Sequence, residues 1–214
     1  MPNADIRFGM ASIKGVGENV VTALVEERNK NGKFTSVFDF ASRLDSKAIN
    51  KKSLEGLALS GAMDSFEGVH RAMFFKLETD GTTLTDRMIK YGNQKNNGTD
   101  TSQASLFGGE DEIEVTEPQL PKVEPWNSLE QLAREKEVVG FFISGHPLDP
   151  YKLEIEHLCK TNCALLKAGL EPYKGKDVTI AGIVVVTENR TSKTGNQFGK
   201  IVIEDYHGAF DIML

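Results

Sequence analysis

Ile13-Lys14-Gly15-Val16-Gly17-Glu18-Asn19 decides how this 214-residue chain is read. Two glycines one residue apart, interleaved with apolar Ile13 and Val16, make a tight turn between a short helix and a longer one. Beyond the turn, Val20, Val21, Leu24 and Val25 recur at helical spacing, and Gly32 sits where a helix stops. Backbone N–H groups at the glycines are left uncovered at the start of a helix, where the dipole favours an anion. Lys14 adds a charge-assisted contact, and Val16, Glu18 and Asn19 complete the candidate site. A phosphate oxygen of duplex DNA fits this chemistry. Such a turn holds backbone and not bases, so it predicts affinity without sequence preference. The plainer alternative is a turn that only joins two helices.

Working outward, Thr35 or Ser36 can cap a helix through Leu44 whose apolar surface is Phe38, Phe40 and Leu44. Asn50 can cap the next, with Leu54, Leu57 and Ala58 inward and Gly61 at its end. A further helix from about Gly68 is expected to carry Ala72, Met73, Phe74 and Leu77. Leu59-Ser60-Gly61-Ala62-Met63-Asp64 is a second, degraded copy of the first turn. It lacks the second glycine, and Asp64 would repel a phosphate, so its expected role is structural: pairing with the first copy over a shared core.

From Gly92 to Pro125 the periodicity fades into Asn, Gly, Thr, Glu and Pro, a composition that buries too little apolar area to offset ordering. This reads as a flexible acidic tether. Within it, Gln103-Ala104-Ser105-Leu106-Phe107 carries an adjacent apolar pair alone among polar residues, the form of a docking peptide with two anchors and one amide for register. Asn127 and Ser128 open an amphipathic helix (Leu129, Leu132, Val138, Val139) that Gly145-His146-Pro147 breaks. One or two more helices follow from Pro150 to about Ala168. Val178 to Val186 is β-branched and too dense for a surface helix. Polar Thr187 to Gln197, Phe198 to Asp205, a turn at His207-Gly208 and Phe210 to Leu214 complete a three-strand antiparallel meander. Three strands with an unpaired edge make a poor free-standing domain, so the sequence reads as cut from a longer one.

The fold class expected is therefore α+β. The domains expected are a helical region at 1–92, a tether at 93–125, a helical connector at 126–170 and a strand region at 171–214. The net charge of −6 is uneven: residues 1–80 are neutral, residues 81–137 carry −5 and residues 138–214 carry −1. Basic faces at either end remain compatible with nucleic acid. No apolar run approaches a membrane span, and the N-terminus has no signal pattern. Cys159 and Cys163 make no disulfide framework, which points to a reducing, cytoplasmic setting. With His157 they invite a zinc reading, but a second cysteine pair is lacking, so no metal or other cofactor is expected.

Ile6-Arg7-Phe8-Gly9-Met10, the Gly15/Gly17 turn, Phe38-Asp39-Phe40, Ser60 to Asp64, Gln103 to Phe107 and Ile143-Ser144-Gly145-His146-Pro147-Leu148-Asp149 occur in one order. That ordered set resembles the C-terminal third of bacterial DNA polymerase III alpha subunits, and the resemblance covers essentially the whole chain. It implies a tandem helix-hairpin-helix domain on duplex DNA, and a Gln-x-x-Leu-Phe peptide at Gln103, Ala104, Ser105, Leu106 and Phe107 for the beta sliding clamp. It also implies the first strands of an OB-fold for single-stranded DNA. The loop from Arg190 through Lys193 to Gln197 could track a phosphate backbone or be a solvated hairpin loop, and Phe198 beside it could stack a base or belong to the core. The rest of the alpha subunit becomes an implied partner. The catalytic aspartates of that DNA-directed DNA polymerase, a nucleotidyltransferase, lie upstream of this region, so no catalytic site is expected in this chain.

Two readings compete. A DNA-repair glycosylase also uses a Gly-x-Gly hairpin with a catalytic Asp some twenty residues on, where Asp39 falls. Such an enzyme needs helices before the hairpin to build a base pocket, and only fourteen residues precede Gly15. A purely protein-binding scaffold would keep the docking peptide and lose DNA binding.

Overall fold

The computed structural model describes residues 8–45, 49–98 and 116–214, which fall into two compact units divided between Ile143 and Ser144. The first is helical. α1 (Glu18–Asn31) starts at Gly17, buries Val20 and Leu24, and is closed by the Gly32 N–H on Arg28 O. α2 (Val37–Arg43) is capped by Ser36, whose hydroxyl accepts from the Asp39 N–H at 2.9 Å, while the Asp39 carboxylate accepts from the Thr35 N–H at 2.8 Å. α3 (Lys51–Leu59) opens on a reciprocal cap between Asn50 and Ser53. Ile13, Val16, Phe38, Leu54, Leu57 and Phe74 share one core with them.

The helix expected from Gly68 is not formed. Residues 71–74 make one 3-10 turn, and Leu77 is 64% exposed. The fourth helix is α4 (Leu84–Gly98), whose buried Leu84, Met88 and Tyr91 lie at helical spacing. It runs beside α2: Tyr91 packs edge-on against Phe38, Asn96 Nδ2 donates to Leu44 O at 3.1 Å, and the Ala41 carbonyl leaves no room for a side chain at Gly92.

The helix therefore continues six residues past the 92/93 boundary of the sequence reading. The other end of the expected tether is likewise attached. Ser36 Oγ donates to Glu117 Oε1 at 3.3 Å, Arg87 donates to Gln119 O at 3.1 Å, and His70 Nε2 meets Val123 O at 3.0 Å. Leu120 packs on the core, and Trp126 packs against Phe75, with the Arg134 guanidinium over both rings. α5 (Ser128–Val139), capped by Asn127 and ended by left-handed Gly140, buries Leu132, Val138 and Val139. It thus belongs with the helical unit, not with a 126–170 connector, and it ends before Gly145-His146-Pro147 is reached.

α5 is fastened through charge. Glu135 is fully buried and pairs at 2.9 Å with Arg71, itself 6% exposed. Arg71 also grips Asp64 at 2.8 Å and donates to Leu59 O at 3.2 Å, and Glu135 accepts the Ile143 N–H. Burial works to lower the Arg71 pKa, but the hydrogen bonds to Asp64 and Glu135 outweigh it and hold the guanidinium charged.

The second unit carries α6 (Lys152–Leu158), α7 (Cys163–Ala168) and a three-stranded antiparallel sheet, β1 (Ile183–Thr191), β2 (Gln197–Asp205) and β3 (Gly208–Met213), in the order β1-β2-β3. The meander stands, but β1 begins five residues later than Val178 and runs on through Thr187 to Thr191, so the expected polar loop is mostly strand. α7 is tied to the sheet by Asp205, whose carboxylate accepts from the N–H groups of Cys163, His207 and Gly208 at 2.6, 2.8 and 3.1 Å. Burial opposes the Asp205 charge, yet the Cys163 and His207 donors keep its pKa below the usual carboxylate range, while burial and that carboxylate push the Cys163 thiol up to about 11. Gly145 to Asp149 is a turn: Asp149 accepts from the His146 N–H at 2.7 Å and the Tyr206 hydroxyl at 2.9 Å, with the His146 ring stacked 4.2 Å from that of Tyr206.

Candidate nucleic-acid interface

The short helix expected before the hairpin is a single 3-10 turn, Met10–Ser12. Ile13 and Val16 are buried and pin the hairpin to the core, so Lys14, Gly17, Glu18 and Asn19 face outward. Two backbone bonds set its shape: the Lys14 N–H donates to Val138 O at 2.8 Å and the Val16 N–H to Ile13 O at 3.0 Å. Gly15 has φ +89°, a left-handed conformation that favours glycine. Gly17 differs. Its φ is −78°, which any residue adopts, and a side chain there would meet open space. What Gly17 contributes is bareness: among the described residues, nothing lies within 4 Å of where its Cβ would be.

Among the described residues, the N–H groups of Gly15, Gly17, Glu18 and Asn19 have no acceptor, and Lys14 has no ion pair. Four donors and one ammonium on an exposed edge are suited to a phosphodiester oxygen. The sequence reading missed two supports from α3. Gly56 lets that helix approach the Lys14 carbonyl so closely that a Cβ would sit 2.8 Å from it. The stem of Lys52 crosses the turn, its Cγ 3.0 Å from where a Cβ on Gly15 would lie. The glycine inside an apolar helix was the available signal for the first; nothing local signals the second.

The second hairpin has the same glycine geometry, with Gly61 at φ +81°, and a different filling. The Arg71 guanidinium occupies the space beside Gly61, neutralising Asp64 and binding the Leu59 carbonyl. The turn's N–H groups are spent internally: Gly61 on Ala58 O, Ala62 on Leu57 O and Asp64 on Gly61 O. It is closed to an anion.

In the sheet unit, Arg190 stands on β1 opposite Phe198 on β2, and not in a loop. Its guanidinium is engaged with Glu188 at 2.7 Å. Lys193 is exposed in the turn between the strands, and Phe198 is half-buried. The three gather at one end of the hairpin. Gln103, Ala104, Ser105, Leu106 and Phe107 lie outside the described residues. Among the described residues no three His, Cys, Asp or Glu side chains group as metal ligands, and no helix is long and apolar enough to cross a membrane. Cys163 is buried and Cys159 half-buried. Asp39 is committed to the α2 cap and to Arg43 at 3.2 Å.

A helix-hairpin-helix motif model matches residues 2–73, the span that holds both turns. The chain is 33% identical over 213 residues to the DNA polymerase III subunit alpha of Vibrio cholerae, which covers 99% of this chain and 17% of that protein. The corresponding protein of Escherichia coli K12 is 34% identical over 213 residues, again 99% of this chain and 18% of the relative. That of Borreliella burgdorferi is 34% identical over 220 residues, with the same two shares. The chain thus spans less than a fifth of the length of these relatives. It is homologous, along essentially its whole length, to a segment of bacterial DNA polymerase III alpha subunits, with the helix-hairpin-helix motif in its first third.

Proposed function

We propose that this chain is a non-catalytic segment of a bacterial replicative DNA polymerase that holds duplex DNA by its backbone and carries a docking peptide for the sliding clamp. The observation that carries the first half is the first hairpin: among the described residues, the N–H groups of Gly15, Gly17, Glu18 and Asn19 have no acceptor and Lys14 has no ion pair. Residues Lys14 to Asn19 take the phosphate. The reaction of the parent polymerase, nucleotidyl transfer, belongs to residues outside this chain, and the setting is the cytoplasm. Duplex binding followed by fluorescence anisotropy across a salt titration tests the reading. Affinity should fall steeply with salt and be indifferent to sequence. Affinity that ignores salt would reject the backbone contact, and no duplex binding at low salt would favour the protein-binding scaffold.

The clamp peptide is Gln103 to Phe107. A synthetic peptide spanning Thr101 to Gly109 should bind a bacterial beta clamp by itself. Leu106→Ala with Phe107→Ala should weaken it about a hundredfold or more, because each anchor buries roughly 1.5–3 kcal/mol of apolar transfer energy. Gln103→Ala should cost about 1 kcal/mol, and Ser105→Ala little. If Ser105→Ala is as damaging as the double change, these residues do not have these roles. The sheet unit is the start of an OB-fold whose hairpin end, with Arg190, Lys193 and Phe198, contacts single-stranded DNA. Its antiparallel meander supports that reading.

A further inference from the structure

We infer that Lys52, from α3, is the second cation of the phosphate site at the first hairpin and grips the same backbone as Lys14. The inference rests on the duplex-binding reading above and adds to it a residue that lies far from the hairpin in sequence. Two lysines open α3, and the structure separates their roles. Lys51 is committed: its ammonium lies 2.9 Å from Asp86. Lys52 is exposed and, among the described residues, pairs with no carboxylate.

Its position follows from the turn. A Cβ on Gly15 would lie 3.0 Å from Lys52 Cγ, 3.2 Å from the Lys52 carbonyl oxygen and 3.4 Å from Cε. The methylene stem therefore lies across the face of the turn that a side chain at residue 15 would fill. With Cε so placed, the ammonium, one bond further, is within reach of the turn, whose N–H groups at Gly15, Gly17, Glu18 and Asn19 have no acceptor among the described residues. A lysine stem resting on backbone while its charge stays in water loses little hydration, and the charge is then available to a phosphate. The capping box between Asn50 and Ser53 and the close seat of Gly56 on the Lys14 carbonyl fix α3 against the hairpin. The two lysines are thus carried by two elements that share one packed contact beside Gly15.

The geometry assigns one more role to Gly15. Its missing side chain makes room for a cation as well as for a tight turn.

The test uses the whole chain, a duplex oligonucleotide and fluorescence anisotropy between 50 and 200 mM salt, with parent, Lys14→Ala, Lys52→Ala, Lys52→Arg and Lys51→Ala. Each phosphate neutralised contributes about 0.9 to the slope of log affinity against log salt. Lys52→Ala should lower that slope by about 0.9, so its affinity loss across this fourfold salt range should be roughly 3.5-fold smaller than the parent's. Lys52→Arg should restore the slope, and Lys51→Ala should leave it unchanged. A slope that drops for Lys14→Ala but not for Lys52→Ala overturns the inference and leaves the hairpin reading standing. Equal drops for Lys51→Ala and Lys52→Ala also overturn it, since they would mean diffuse charge. No salt-dependent binding by the parent would overturn the hairpin reading and this inference together.

Discussion

The two hairpins of the helical unit share a backbone device and differ in everything that fills it. Gly15 and Gly61 both turn through the left-handed region between helical segments. At the first, the N–H groups of Gly15, Gly17, Glu18 and Asn19 have no acceptor, and two lysines nearby have no acidic partner, among the described residues. At the second, a guanidinium of the protein itself occupies the turn and is neutralised by Asp64 and by a carboxylate from α5. The comparison teaches that a glycine turn is an opportunity and not yet a site. What makes the first a candidate is that the cation beside it, Lys52, pairs with no carboxylate among the described residues, and what makes the second a joint is Arg71, held by Asp64 and Glu135.

The largest effect on this contrast comes from loosening the hold on Arg71 at the second turn. Glu135→Ala leaves Arg71 buried with one partner gone and should destabilise the helical unit by about 3–5 kcal/mol, read by urea unfolding. Removing both charges, Glu135→Met with Arg71→Met, should recover much of that loss. If Glu135→Ala unfolds like the parent, Arg71 does not close the turn. Next in size is Gly15→Ala, which forces a side chain into φ +89° and against Lys52 and should cost about 1–2 kcal/mol in the same measurement. The sign would contradict the structure if the variant were more stable.

Gly17→Val separates folding from binding, because its backbone is ordinary and its side chain points into open space. Stability should drop by less than about 1 kcal/mol, the cost of a poorer N-cap. Duplex affinity should fall about tenfold, or 1.4 kcal/mol, since a side chain would stand where the phosphate approaches. An unchanged affinity would show that the bare start of α1 is not used. The smallest effect belongs to Lys51→Ala. Its partly exposed pair with Asp86 is worth about 0.2–1 kcal/mol, seen as a small shift in the urea midpoint.

How much of this was legible follows from the range of each signal. The first hairpin, the Ser36 and Asn50 caps and the strand meander are local patterns, and each reads directly from neighbouring residues. α4 was readable from Leu84, Met88 and Tyr91, yet its polar majority and the loop-like composition after Gly92 concealed it. The strap from Glu117 to Val123 was not legible, because its carbonyls and side chains meet Ser36, Arg87 and His70 across long stretches of sequence. Glu135 looks like one surface charge among several in an amphipathic helix. Only its position between Leu132 and Val138 on the apolar stripe hints at burial, and nothing local names Arg71 as its partner. Lys52 was missed for the same reason: its closeness to Gly15 exists only once α3 is docked.

The bond from the Lys14 N–H to Val138 O joins opposite ends of the helical unit. Its consequence lies in time. During synthesis the N-terminal helices emerge first and can pack α1 to α3 around Leu54 and Phe38 while α5 is still unmade. Closing a contact of such long sequence separation carries a loop entropy that local turns do not. The edge proposed to meet DNA is therefore translated ahead of the helix that fixes its register, which arrives after the acidic stretch has passed.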